Sequence, residues 1–140
     1  MRKFIYKAVF LCVIVACFGM LTIGCSREQE QTRDGWSDTH TANCIRASYD
    51  LFDGYEYGYI NVETGQTFII RYDVKVESGN LRVKIESPWG ENVWQQYIKH
   101  NSKKEFAVQV TSNGRHKVMI IGDDTKGSFD VSWEKIDPKK

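Results

Sequence analysis

The apolar and polar positions of this 140-residue chain fall into three regimes. Residues 8–23 hold 14 apolar side chains in 16 positions, broken only by Gly19 and Thr22. Residues 26–42, SREQEQTRDGWSDTHTA, have neither a helical nor a strand period and carry one large apolar side chain, Trp36. From Asn43 onward apolar residues recur at every second position, and turn-forming residues interrupt them every eight to twelve. Nowhere in that last regime do apolar positions keep a 3.6-residue period for three turns, so strands are predicted and helices are not.

The clearest strand is 68–76, with Phe68, Ile70, Tyr72, Val74 and Val76 on one face and Ile69, Arg71, Asp73 and Lys75 on the other. Glu77-Ser78-Gly79-Asn80 reads as a turn into Leu81, Val83 and Ile85, which alternate with Arg82, Lys84 and Glu86. That pattern predicts an antiparallel hairpin with one apolar and one charged face. Pro88-Trp89-Gly90 turns again, 93–98 forms a short strand, and 105–111 buries Phe106, Val108 and Val110. Ser112-Asn113-Gly114 suits the positive φ of a tight turn. Residues 117–121 are apolar on both faces, through Val118, Met119, Ile120 and Ile121, which predicts a central strand covered from two sides. After a loop at 122–127, Phe129, Val131 and Trp133 alternate with Ser128, Asp130 and Ser132. Upstream, Ile45, Ala47, Tyr49 and Leu51 alternate, and 59–62 adds a strand. About eight short strands predict an all-β domain over 43–140, an antiparallel β-sandwich or jelly roll.

Arg2, Lys3 and Lys7 ahead of the apolar run give residues 1–24 the layout of a secretory signal peptide. The run is shorter than the roughly 20 residues a helix needs to span hydrocarbon. The junction Leu21-Thr22-Ile23-Gly24-Cys25 resembles the lipobox of bacterial lipoproteins. The resemblance implies cleavage between Gly24 and Cys25, lipidation of the Cys25 thiol, and a protein held at the extracytoplasmic face of a bacterial membrane. Two or three acyl chains, at about 0.8 kcal/mol per buried methylene, make such attachment lasting. Residues 25–42 then read as the lipidated cysteine and a flexible tether, with Trp36 as a solvated linker residue.

The chain carries 19 Lys and Arg against 18 Asp and Glu, and loss of Arg2, Lys3 and Lys7 with the signal leaves 16 against 18. Such a balance supplies no basic surface for nucleic acid. Cys12 and Cys17 also leave with the signal and Cys25 is lipidated, so Cys44 stands as a lone thiol and no internal disulfide is expected.

Groups that carry chemistry are dispersed. His40, His100 and His116 have no partner at metal-ligand spacing, and Asp123, Asp124 and Asp130 lack the alternate carboxylates of a calcium loop, so neither metal nor cofactor is expected. Asp50, Asp53 and Glu56 would serve as paired catalytic carboxylates only if their strands converged, and they are read as turn residues. With no Gly-x-Ser-x-Gly, phosphate loop or Cys-x-x-Cys, no catalytic residue is assigned.

The aromatics are the unusual feature. Tyr55, Tyr57 and Tyr59 alternate, and Trp89, Trp94 and Tyr97 surround one predicted hairpin. The three tyrosines are read as an inner sandwich face, with an exposed platform as the alternative. Trp133 is read as core. Trp89, Trp94 and Tyr97 are taken as the binding surface, because flat rings stack on sugars and give protein partners contact area at low entropic cost.

Gly65-Gln66-Thr67-Phe68, the strand to Val76, the Ser-Gly-Asn turn, Ser87-Pro88-Trp89-Gly90 and the closing run from Gly127 to Trp133 look like the GOLD-type β-sandwich and like small domains of bacterial lipoproteins, over residues 60–134. The resemblance implies a protein-recognition domain with no catalytic residue to carry over. The expected function is a lipid-anchored, non-catalytic binding or interaction module. Its partner is a protein or, as the alternative, a cell-wall or extracellular polysaccharide; a small hydrolase ranks last.

Overall fold

The computed structural model describes residues 31–136, and every regular element among them is a β-strand. These are β1 (Thr32–Asp34), β2 (Ser37–Thr41), β3 (Cys44–Val62), β4 (Thr67–Glu86), β5 (Asn92–Ile98), β6 (Ser102–Gln109) and β7 (Gly114–Ile136). All pairings are antiparallel. The expected signal peptide, Gly24 and the lipidation site Cys25 lie outside the described residues.

Strands β3, β4 and β7 are 19, 20 and 23 residues long, and each is used twice. Residues 44–48 of β3 pair with β2 and 44–49 with 127–132 of β7, whereas 54–62 pair with 114–122. Residues 67–74 of β4 pair with β6 and 67–76 with the end of β7, whereas 81–86 pair with β5 and 80–86 with the start of β7. One continuous sheet therefore folds over on itself. Layer A has the order β2-β3-β7-β4-β6 and layer B the order β3-β7-β4-β5. The result is the all-β antiparallel sandwich that the alternation predicts, made from seven strands instead of eight.

The difference lies at the corner where the layers meet. Segments 68–76 and 81–86, expected to pair as a hairpin, are one strand: both run along β7, with register shifts on either side of Ser78. Gly79, at φ 72°, lets the chain bend there without reversing, and a Cβ on it would collide with the Asp124 carbonyl of β7. The expected loop at 122–127 is the matching bend of β7. A turn-rich tetrapeptide specifies a change of direction, but its angle is set by which strand lies beside it.

The layers close on one core. The Trp133 indole of layer A lies over Gly58 of layer B, in space a Cβ would fill, and its Nε1 donates to the Tyr59 carbonyl at 3.3 Å. At the far edge Trp94 of layer B meets Phe106 of layer A, ring centroids 5.0 Å apart. The expected tether is partly sheet. β1 pairs across the bend of β3 and β2 forms the edge of layer A. Trp36 between them packs against Tyr49, Phe52 and Phe129, with centroids 5.7, 5.1 and 6.2 Å away. Exposed polar residues suit an edge strand as well as they suit a coil, so composition alone does not separate the two.

Tyr49 is buried in this cluster, and burial pushes its phenol up to about 12. An unfolded tyrosine titrates near 10. The folded state therefore favours the neutral phenol, so the contribution is intact below about pH 10 and is lost as pH rises through about 12. Chemical unfolding across that window is expected to show an alkaline loss of about 3 kcal/mol that Tyr49→Phe abolishes. Equal losses in both proteins would refute the assignment.

Candidate functional site

A bulge in β3 decides which side chains reach the surface. Ahead of it Ile45, Ala47 and Tyr49 point inward at odd positions; after the register shift between Tyr49 and Phe52, Phe52, Glu56 and Val62 point inward at even ones. A one-residue offset moves every later side chain to the opposite face. Tyr55, Tyr57 and Tyr59, expected inside, emerge on the outer face of layer B, where Tyr57 is 44% exposed.

Pairing across layer B arranges that face in rungs. The first runs Tyr55, Ile121, Arg82, Tyr97; the second Tyr57, Met119, Lys84, Gln95; the third Tyr59, Lys117, Glu86, Asn92. Residues 117–121 are thus central in their layer, but Met119 and Ile121 lie on its open side instead of being covered twice. The Tyr55 and Tyr57 rings are 6.1 Å apart and inclined at 31°, while Tyr59 is turned 76° from Tyr57. Arg115 lies 3.6 Å from the Tyr59 ring centre, Lys117 5.3 Å from that of Tyr57, and Arg82 5.3 Å from that of Tyr97. Arg82 also donates to the Tyr97 hydroxyl at 3.1 Å.

An open depression marks each end of the face. One, of about 430 Å³, is lined by Arg82, Tyr97, Lys99, Asp53 and Asp123 among others; the other, of about 450 Å³, by Tyr59, Glu86, Arg115 and Lys117 with the 87–90 turn. Ser87 braces that turn, its Oγ accepting from the amides of Trp89 and Glu91 at 3.3 and 3.1 Å. Trp89 stands on it 72% exposed.

Of the three residues assigned to a binding surface, Trp89 and Tyr97 are exposed, the latter at 55%. Trp94 is not part of it. It lies on the inward side of β5, paired with Ile85 and packed on the core, because alternate residues of one strand serve opposite faces. The tyrosine row that completes the face had a signal in the sequence, its alternation, but its direction depended on the bulge.

The outer face of layer A is chemically different, with its charges largely consumed internally. Arg46 pairs with Asp130 at 2.5 Å, Arg71 with Glu105 and Glu134 at 2.5 and 2.6 Å, and Lys103 with Asp73 at 3.0 Å. The carboxylates weighed as catalytic do not converge: Asp50 pairs with Lys126, Asp53 lines the first depression, and Glu56 turns inward to Arg33 and His40. His116 is a buried core residue bonded to Ser112 and the Gly114 carbonyl, both at 3.2 Å. The half-buried Cys44 thiol is raised by burial and by Asp130, 3.5 Å away, which keeps it protonated and a poor nucleophile. Among the described residues no group of His, Cys, Asp and Glu is arranged to hold a metal.

No protein-family profile and no curated protein matches the chain. Solved structures do resemble it in outline. A structure described as "CBM4 structure and function" is 11% identical with a TM-score of 0.46, covering 74% of this chain and 79% of its own. The carbohydrate-binding module from Cellvibrio mixtus lichenase 5A, in complex with cellotriose, is 17% identical at 0.45, over 80% and 92%. PliG of Aeromonas hydrophila, a periplasmic inhibitor of g-type lysozyme, is 14% identical at 0.42, over 66% and 88%. At such identities the likeness concerns the general course of the chain.

Proposed function

We propose that this protein is a non-catalytic polysaccharide-binding module held to a bacterial membrane by lipid on Cys25, with the outer face of layer B as its contact surface. The observation that carries the reading is the outward row Tyr55, Tyr57 and Tyr59 facing Tyr97 across the layer, with Ile121, Met119, Arg82 and Lys84 between them. Aromatic rings offer apolar area to the faces of sugars, and the cations, hydroxyls and amides among them offer hydrogen bonds to the rims. A flat, open face of rungs suits a chain that lies across it better than a small molecule that needs enclosure. The alternative partner, a protein, draws support from Trp89, an exposed tryptophan on a braced turn.

The test is cosedimentation of the protein with purified cell-wall polysaccharide. The expected result is pelleting that Tyr57→Ala weakens about tenfold and Arg46→Ala on the opposite face leaves unchanged, since an aromatic contact of this kind is worth about 1 to 2 kcal/mol. Absence of pelleting, or equal loss in both variants with folding intact, would overturn the proposal and bring protein partners forward.

A further inference from the structure

The cations of the two outer faces differ in what they hold. On layer A, Arg46, Arg71 and Lys103 are each paired with carboxylates, while Lys75 has neither an ion pair nor a ring beneath it among the described residues. On layer B, Arg82, Arg115 and Lys117 have no carboxylate partner among the described residues; each lies over a tyrosine ring. The carboxylates beside them are Glu86, which stands across from Lys117 but pairs with Lys84 at 2.6 Å, and Asp53 and Asp123 at the corner end. A cation over a ring covers one of its two faces, most closely at Tyr59, where Arg115 lies 3.6 Å from the ring centre. The ring's negative face in turn orients the cation without neutralising it. Three tyrosines of this face thus hold positive charges that form no ion pair with a carboxylate among the described residues.

We infer that the polysaccharide bound by this face is anionic, a polymer bearing carboxylate, sulfate or phosphate groups that pair with Arg82, Arg115 and Lys117. The inference rests on the polysaccharide reading above and names its substrate class. Guanidinium groups suit such ligands because their planar fork donates two parallel hydrogen bonds to one oxyanion. The spread of the cations from the first rung, Arg82, to the third, Lys117, and the neighbouring Arg115 suits charges repeated along a polymer.

The probes are polygalacturonate and its fully methyl-esterified form, which share a backbone and differ in charge, presented to the full-length protein in detergent. Retardation in affinity electrophoresis is expected to be about tenfold stronger for the acid form at low salt and to shrink as salt approaches 0.5 M, where the screening length is only a few ångströms. Arg115→Gln combined with Lys117→Gln is expected to erase that preference, whereas Arg46→Gln, on the opposite face, leaves it. Equal binding of acid and ester, or preference surviving in the double variant, overturns the inference while leaving the polysaccharide reading intact. If neither polymer binds the inference falls, and the reading falls with it only if cell-wall polysaccharide also fails to pellet the protein.

Discussion

Gly127→Ala is expected to destabilise the domain by about 4 kcal/mol or more, against about 1 kcal/mol for Gly90→Ala. Both glycines sit at positive φ, 146° and 84°. They differ in what a methyl group meets. At Gly90 there is open space, so only the backbone penalty is felt; at Gly127 the Cβ would collide with the Lys75 carbonyl of the neighbouring strand. A backbone carbonyl in mid-sheet cannot step aside like a side-chain tip, so β4 and β7 must separate at the corner where both change layers. That separation also disturbs the pairing that carries Arg82 and Ile121 into the first rung. Urea unfolding of the two variants checks the prediction. Comparable losses at the two positions would show that the corner tolerates a side chain and that the close approach does not hold the bend.

Cys25→Ser is expected to abolish incorporation of labelled palmitate completely, because the lipid-transfer step requires a thiolate and a serine hydroxyl does not ionise in that range. Unlabelled wild-type protein would sink the lipid-anchor proposal. Seven residue steps separate Cys25 from the start of β1 at Thr32. Fully extended, they reach about 25 Å. The chain enters the fold beside the first rung, where the Gln31 side chain donates to the Tyr55 carbonyl at 3.2 Å. An anchored protein would therefore keep Thr32, and the Tyr55 end of the face beside it, within about 25 Å of the lipid surface.

Period-two alternation was enough to give the all-β class and the inward residues of most strand segments from Asn43 onward, while β1 and β2 escaped it. Phe68, Ile70, Tyr72 and Val74, Leu81, Val83 and Ile85, and Phe129, Val131 and Trp133 are all buried as their spacing requires, because pleat geometry is local and repeats every two residues. Three features were decided only by strands meeting far apart in sequence. Whether Ser78-Gly79-Asn80 reverses or bends the chain depended on β7 running beside both halves of β4. Whether Trp36 stays in solvent depended on an opening beside Tyr49, Phe52 and Phe129 that no local pattern reveals. Whether Tyr55, Tyr57 and Tyr59 face the core or the solvent depended on a register shift in β3, and alternation is unchanged when it is inverted. The candidate site belongs to that last kind: its residues were visible in the sequence, and their outward direction and their cations came from the fold.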